Sequence, residues 1–305
     1  MSAAVGFHPH ARTPRLLIVG CGDVGLRVLR LVLPRWRVLA LTSSPERMPQ
    51  LRAAGALPLW GDLDQPATLG RLAGLADAVL HLAPPPATGK TDPRTRALLQ
   101  ALARGTGVRQ LVYCSTTGVY GDCQGQWVGE TRGLQPQNER AWRRADAEAQ
   151  VRYFGRHTGA RVCVLRVPGI YGLDRPGGHP GERLARGTPA LRAQDDVYTN
   201  HIHADDLARA CVAALARGRP QRVFNISDDS TLRMGEYFDL AADLLGWPRP
   251  PRISRQEAQR TLSPMLMSFM SESRRVVNER MKRELRLRLR YPSVREGLAP
   301  SDHTP

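Results

Sequence analysis

The chain has 305 residues, 42% of them hydrophobic, and a formal net charge of +16. No apolar run approaches the roughly 20 residues that span a bilayer. The five cysteines form no Cys-x-x-Cys pair, so we expect free thiols in a reducing cytoplasm rather than a disulfide scaffold. Only two of the 44 basic residues are lysine, and the positive charge is spread over many helices. We therefore expect an anionic small molecule as partner, with no nucleic acid and no membrane.

Residues 15–25 predict a strand, a tight turn and a helix in immediate succession. Apolar residues 16–19 form the strand, and an amphipathic run then opens the helix. Between them, three glycines have the G-x-G-x-x-G spacing of a dinucleotide-binding turn: Gly20, Gly22 and Gly25. The first allows the turn, the second lets the backbone approach a pyrophosphate, and the third permits close packing of helix on strand. The pyrophosphate would lie at the positive end of the helix, against Asp23 and Val24.

Short apolar strands then alternate with amphipathic helices up to residue 167. We predict strands at 37–42, 56–60, 77–83, 110–114 and 161–167, and helices at 45–54, 91–104 and 138–157. This alternation is typical of an α/β fold, a Rossmann-type doubly wound parallel sheet covered by helices on both faces. Residues 14–167 are therefore predicted to form an NAD(P)-binding Rossmann domain.

The composition changes beyond Pro168. Residues 172–195 are rich in Gly, Pro and Arg and predict a loop, whereas a helix at 203–217 and a strand at 222–226 are expected to return to the sheet, within residues 200–228. Further helices are predicted near 234–245 and 271–285. We expect residues 168–300 to include a smaller C-terminal region that binds the substrate, and residues 1–13 and 301–305 to be flexible termini.

The end of the second strand indicates which cofactor fits. A domain that prefers NAD usually ends this strand with Asp or Glu, which binds the ribose hydroxyls. Here the strand ends in Thr42, Ser43 and Ser44, and Arg47 follows. Hydroxyls and a guanidinium would hold a 2′-phosphate by charge-assisted hydrogen bonds, so we predict NADP rather than NAD. The alternative is that Ser43 or Ser44 only caps the next helix, whose first position is Pro45.

Further cofactor contacts are expected where other strands reach the same edge of the sheet. Asp62 ends the third strand, where its carboxylate could accept a hydrogen bond from the adenine amino group or could simply serve a turn. The remaining expected contacts share this carboxyl edge: Leu63, Leu82, Ala83, Pro84, Ser115 and Pro168.

Several segments in a fixed order resemble the extended short-chain dehydrogenase/reductase family, which includes the nucleotide-sugar epimerases and dehydratases. The Ser/Thr-rich strand end before Val119-Tyr120-Gly121 is one. The others are Leu165 to Gly172, Asn200-His201-Ile202-His203-Ala204-Asp205-Asp206-Leu207, Val223 to Ser227, and the basic tail from Ser273 to Leu298. The resemblance covers about residues 14–298 and implies an NAD(P)-dependent protein with a substrate region after the Rossmann domain.

The resemblance also implies the position of the catalytic groups, and here the chain departs from the family. Thr116 takes the place of the Ser or Thr that hydrogen-bonds the reacting oxygen. The family's Tyr-x-x-x-Lys pair, aligned through Glu148, falls on Arg140 and Arg144. An arginine, with a pKa above about 12, cannot exchange protons near neutrality. This departure resembles the atypical subgroup of the family, whose members bind NADP with eroded catalytic residues.

Each arginine has a functional and a structural interpretation. Arg144 could bind the nicotinamide ribose in place of Lys, and Arg140 could clamp an anionic substrate; alternatively, both lie on a solvated helix face. In the family, the tyrosine of the Tyr-x-x-x-Lys pair is the acid/base. Tyr120, or a water molecule, could take that role here. His201 and His203 lack a third metal ligand at suitable spacing, so a structural role is favoured over a metal site.

Two functions remain open from the sequence. The first is an NADP-dependent oxidoreductase, dehydratase or epimerase that acts on a nucleotide-sugar or similar anionic molecule with a degenerate set of catalytic residues. The second is a non-catalytic NADP-binding redox sensor or scaffold. A homodimer, common in the family, is a further expectation.

Overall fold

A computed structural model describes residues 12–105 and 107–299. The predicted flexible termini, residues 1–13 and 301–305, lie outside the described residues except for residues 12 and 13. Within the described residues, no helix is both long and apolar enough to cross a membrane. All five cysteines are free thiols, as expected.

Seven parallel strands form the central sheet. They are β1 (Arg15–Val19), β2 (Arg37–Thr42), β3 (Leu57–Trp60), β4 (Ala78–His81), β5 (Gln110–Thr116), β6 (Arg161–Val167) and β7 (Arg222–Asn225). Their spatial order is β7-β6-β5-β4-β1-β2-β3. This arrangement confirms the predicted doubly wound fold, and the strand order reverses between β1 and β4, where ligands of such sheets bind.

Helices cover both faces of the sheet. They are α1 (Asp23–Val32), α2 (Met48–Ala53), α3 (Pro93–Ala103), α4 (Glu139–Thr158) and, from the later part of the chain, the helix Ala204–Arg217. The predicted helix 45–54 is divided into a 3-10 turn, Pro45–Arg47, and α2. Pro49 removes an amide donor that a continuous helix would need. The helix Ala204–Arg217 packs on α1, and β7 pairs with β6, so residues 204–225 return to the main sheet, whereas His201–His203 pairs with Gly169–Tyr171 outside it.

The C-terminal region builds a smaller core from short elements. Its longest helix is Met234–Leu245, as predicted, and the shorter helices are Gly181–Ala185, Arg255–Thr261, Pro264–Phe269, Glu279–Glu284 and Val294–Leu298. Four two-stranded pairs join its loops: Gly169–Tyr171 with His201–His203, Ala190–Leu191 with Arg252–Ile253, Tyr198–Thr199 with Leu232–Arg233, and Trp127–Val128 with Arg275–Val276. The predicted loop 172–195 therefore contains one short helix and one short strand.

The helix predicted at 271–285 is wrong. Residues 275–276 pair as a strand with Trp127–Val128, and a helix begins only at Glu279. The β-branched pair Val276-Val277 favours extended backbone, and the partner strand lies almost 150 residues earlier in the chain. Local periodicity carries no information about that pairing.

Candidate cofactor and substrate site

The space and backbone conformation around the three glycines of the turn differ from one position to the next. Gly20 has a φ of +83°, and a Cβ added there would lie 2.5 Å from the Ala83 backbone nitrogen, so the fold itself requires glycine. A Cβ on Gly25 would lie 3.1 Å from the Cys21 Sγ, because α1 packs tightly on its own turn. A Cβ on Gly22 would meet no atom within 4 Å. The fold leaves open space at Gly22, where a bound pyrophosphate would approach.

Several residues predicted to contact the cofactor lie around the turn. The first backbone N–H groups of α1, from Asp23 and Val24, have no acceptor within the helix. The N–H groups of Leu82 and Ala83 both donate to the Val19 carbonyl oxygen, at 2.8 and 3.0 Å, which holds the loop after β4 against the turn. Pro84, next in this loop, is exposed.

The residues after β2 are arranged as a rim beside the turn. The Thr42 Oγ1 accepts from the Ser44 backbone nitrogen at 3.2 Å, and Ser43 is exposed. Ser44 has the N-cap position of the following turn, but its side chain makes no capping hydrogen bond, so the helix-cap alternative lacks its defining contact. The Arg47 guanidinium donates to the Cys21 carbonyl oxygen at 2.8 Å, which places it over the glycine turn.

The Asp62 side chain stabilises the turn after β3, which was one of the two roles predicted for it. Its carboxylate accepts from the Asp64 backbone nitrogen at 2.9 Å and from the Gln65 amide at 3.3 Å. Leu63 is half-buried against the core under the sheet. A contact of either residue with adenine stays a prediction.

A cavity of about 460 Å³ lies between the carboxyl ends of β5 and β6 and the C-terminal region. Its wall contains Thr116 and Pro168 from the sheet edge. Its other polar lining residues are Ser115, Thr117, Asn138, Arg140, Arg144, Arg175, Tyr198, Thr199, Asn200, Ser268, Glu272 and Arg274. The structure thus brings together Ser115, Thr116, Arg140, Arg144 and Pro168 from the predicted site.

Thr116 is half-buried on the cavity wall. Its Oγ1 accepts from the Gly118 backbone nitrogen at 3.2 Å. The hydroxyl proton remains available, so Thr116 can donate a hydrogen bond to an oxygen in the cavity.

Ser115 lines the cavity but its hydroxyl is committed to the core, and Tyr120 lies in the core away from the cavity. The buried Ser115 hydroxyl donates to the Glu148 carboxylate at 2.7 Å, and Glu148 pairs with buried Arg166 at 2.8 Å. The structure does not bring Tyr120, the predicted replacement acid, to the cavity wall. Tyr120 is 0% exposed, and its hydroxyl donates to the Asn225 Oδ1 at 2.7 Å, away from the cavity. Burial also raises its pKa.

Arg140 and Arg144 lie one helical turn apart and both line the cavity, which argues against a purely solvated face. The Arg144 Nη1 donates to the Tyr113 hydroxyl at 3.1 Å and to the Cys114 carbonyl at 2.9 Å. The Arg140 guanidinium lies 4.4 Å from the centre of the Phe269 ring. Within the described part of the chain, neither arginine has an ion-pair partner.

Sequence reasoning missed Glu272, Arg274 and Arg175. Glu272 is 9% exposed; its carboxylate accepts from the Asn138 amide at 2.9 Å and from the Arg274 guanidinium at 2.7 Å. Among the described residues, it is the one carboxylate on the cavity wall. The short Glu-Ser-Arg segment has no motif that would have revealed its position.

The two histidines have structural contacts. The His201 ring stacks on Tyr237 at 3.9 Å, and burial lowers its pKa to about 3. The His203 Nδ1 accepts from the Asp205 backbone nitrogen at 3.2 Å and so caps the following helix. No group of three metal-ligating side chains occurs in residues 12–105 and 107–299.

Comparison with known proteins gives a consistent result. A model of the NAD dependent epimerase/dehydratase family matches residues 16–227. Protein YeeZ of Escherichia coli K12 is 28% identical over 178 residues, which cover 57% of this chain and 61% of YeeZ. The match therefore spans about three fifths of the curated relative.

Solved structures extend the similarity over nearly the whole chain. A conserved protein of unknown function from Silicibacter pomeroyi DSS is 34% identical, with a TM-score of 0.78 and coverage of 94% of this chain and 97% of the other. UDP-glucose 4-epimerase from Thermotoga maritima has a TM-score of 0.74 and coverage of 93% and 96%, but at 20% identity it shows the fold alone.

Proposed function

Because the chain belongs to the NAD dependent epimerase/dehydratase family, we propose that it binds NADP and catalyses an oxidoreductase, dehydratase or epimerase reaction on a nucleotide-sugar or similar anionic molecule. The observation that carries this proposal is the open space at Gly22 next to an arginine-lined cavity. Both lie at the carboxyl edge of the sheet, where the two halves of a dinucleotide and a substrate can meet.

The preference for NADP rests on the rim after β2. A 2′-phosphate there would meet the Ser43 and Ser44 hydroxyls and the Arg47 guanidinium, with no carboxylate at the strand end to repel it. A charge-assisted hydrogen bond to phosphate contributes about 1.5–3 kcal/mol, enough to separate two cofactors that differ only by this group.

Three groups of the cavity have distinct proposed roles. When bound, a nicotinamide cofactor supplies or accepts the hydride. Thr116 donates a hydrogen bond to the reacting oxygen of the substrate. Glu272, oriented by Asn138 and Arg274, accepts a proton at its carboxylate and thereby takes the role that the missing tyrosine has in the family.

Arg140 and Arg144 supply the affinity for an anionic substrate. They place two positive charges one turn apart on α4 with no ion-pair partner in the described part of the chain. Like charges at this spacing destabilise a helix, and a carboxylate or phosphate bound between them removes that cost.

The alternative function is a non-catalytic NADP-binding sensor or scaffold. Arg140 at the position of the tyrosine favours it, since an arginine cannot act as the acid. The two functions share the cofactor site and differ only in turnover. A reaction rate that depends on Thr116 and Glu272 supports the enzyme, whereas cofactor binding without any such rate supports the sensor.

The experiment that tests the cofactor proposal compares NADPH and NADH by isothermal titration. We expect NADPH to bind at least about tenfold more tightly, and Arg47→Gln to remove most of that difference while leaving NADH affinity unchanged. Arg52→Gln, an exposed arginine on α2, is the matched control and should change neither affinity. Equal affinities in the unmodified protein would contradict the NADP preference.

A further inference from the structure

The loop after the strand Gly169–Tyr171 is held to the start of α1 by two ion pairs. Arg175 donates to the Asp23 carboxylate at 2.6 Å, and the Asp174 carboxylate accepts from Arg27 at 2.7 Å. Arg27 also pairs with Asp23 and Asp205. The cluster thus contains three carboxylates and two guanidiniums around the first turn of α1.

This acidic surplus lies where a cofactor pyrophosphate would bind. Asp23 directly follows Gly22, and its side chain is 27% exposed. A carboxylate at a helix N-terminus stabilises the helix, but it competes with a second anion for the same positive end. In the partly desolvated site, the repulsion between Asp23 and a pyrophosphate would be weakly screened. A cation is needed there for the anion to bind.

Two guanidiniums contact Asp23: Arg27 is 8% exposed and shared with Asp174 and Asp205, so Arg175 is the one that remains available to a phosphate. Its side chain is 21% exposed, and it also lines the substrate cavity. Its Nη1 donates to Asp23, while its Nε is buried without a hydrogen-bond partner among the described residues. A guanidinium has five N–H donors in a fixed fork, so Arg175 retains donors for phosphate oxygens while it neutralises Asp23.

We propose that Arg175 is a cofactor-binding residue, which offsets the Asp23 charge and donates to the pyrophosphate of the dinucleotide. The proposal rests on the proposed function, because it requires that the chain bind NADP or NAD. The pyrophosphate is common to both cofactors, so the role of Arg175 is independent of the 2′-phosphate. Its position at the junction of the glycine turn and the cavity makes the loop a shared wall of both sites.

Isothermal titration with NADPH and with NADH tests this role. Arg175→Gln should raise both dissociation constants by about tenfold or more, and by the same factor for each. Asp23→Asn alone should tighten both, and Asp23→Asn combined with Arg175→Gln should return both to within about threefold of the unmodified protein. The restored double variant also shows that the loss in Arg175→Gln is not a failure to fold.

Asp174→Asn is the matched control, because it breaks the other ion pair between the same loop and the same helix. The Asp174 side chain is 68% exposed, so its loss should change cofactor affinity by less than about twofold. An Arg175→Gln variant that binds NADPH and NADH as tightly as the unmodified protein overturns the proposal. So does an equal loss in Asp174→Asn, which would mean that docking of the loop matters and the charge of Arg175 does not. An unmodified protein that binds neither cofactor instead overturns the proposed function itself.

Discussion

Substitution of Gly22 by valine separates the cofactor site from the fold. In the structure, a Cβ at this position meets no atom within 4 Å, and the φ of Gly22 is −82°, which any residue adopts. The unliganded variant should therefore fold with a loss of at most about 1 kcal/mol, the difference between glycine and a β-branched residue at a helix N-cap. A bound pyrophosphate, in contrast, would collide with the valine methyl groups.

The magnitude follows from linkage between binding and folding. At a concentration of one hundred times its dissociation constant, NADPH adds about 2.7 kcal/mol to the free energy of unfolding. An unfolding entropy of about 2.1 cal/mol/K per residue makes this a rise of about 4 °C in Tm for a chain of 305 residues. Thermal unfolding with and without NADPH should show this rise in the unmodified protein and none in Gly22→Val.

Gly20→Val is the informative comparison. Its φ of +83° and the 2.5 Å approach to the Ala83 nitrogen predict a loss of about 2–5 kcal/mol even without cofactor. Gly22→Val that keeps the full NADPH-induced rise in Tm would refute the assignment of this turn to the pyrophosphate.

Three further predictions concern other parts of the molecule. Burial raises the pKa of Asp228 to about 8, against about 3.9 in an unfolded chain. Between these pH values the folded state holds a proton that the unfolded state has released. The free energy of unfolding should therefore fall as pH rises from about 4 to 8. Asp228→Asn should flatten that dependence in urea unfolding and gain about 1–3 kcal/mol over the unmodified protein at pH 8; an unchanged profile contradicts the pKa shift. Thr116→Ala should leave the affinity for NADPH within about twofold, because Thr116 is assigned to the substrate, and lower any turnover of the proposed nucleotide-sugar substrate by about a hundredfold; equal turnover removes Thr116 from the reaction. Tyr153, 58% exposed on α4 beside the apolar groove with α3, is our candidate contact for the expected homodimer. Tyr153→Glu should convert a dimer to a monomer in light scattering, and a monomeric unmodified protein contradicts this expectation.

The sheet could be predicted from the sequence because six of its seven strands are largely buried on both faces, the exception being the edge strand β3. All seven strands appear as short apolar runs, and the predicted and observed bounds agree within about two residues. The glycine turn was equally accessible, since its chemistry lies within eleven consecutive residues, 15–25. Local spacing sufficed for both features.

Contacts between distant segments could not be predicted in this way. Arg175 meets Asp23 across 152 positions, and Glu272 meets Asn138 across 134. The Tyr120 hydroxyl does not face the cavity, because it donates in the core to Asn225, 105 residues later in the chain. The predicted helix 271–285 failed for the same reason, since its residues pair with the strand Trp127–Val128. Side chains that complete the site depend on the tertiary fold.

A crystal structure of the complex with NADPH tests the account most directly. We predict the pyrophosphate on the backbone at Gly22 and the 2′-phosphate against Ser43, Ser44 and Arg47. The nicotinamide should open into the cavity beside Thr116, with Glu272 across from it. A complex in which the nicotinamide lies outside this cavity, or in which the pyrophosphate avoids the glycine turn, would contradict the central claim.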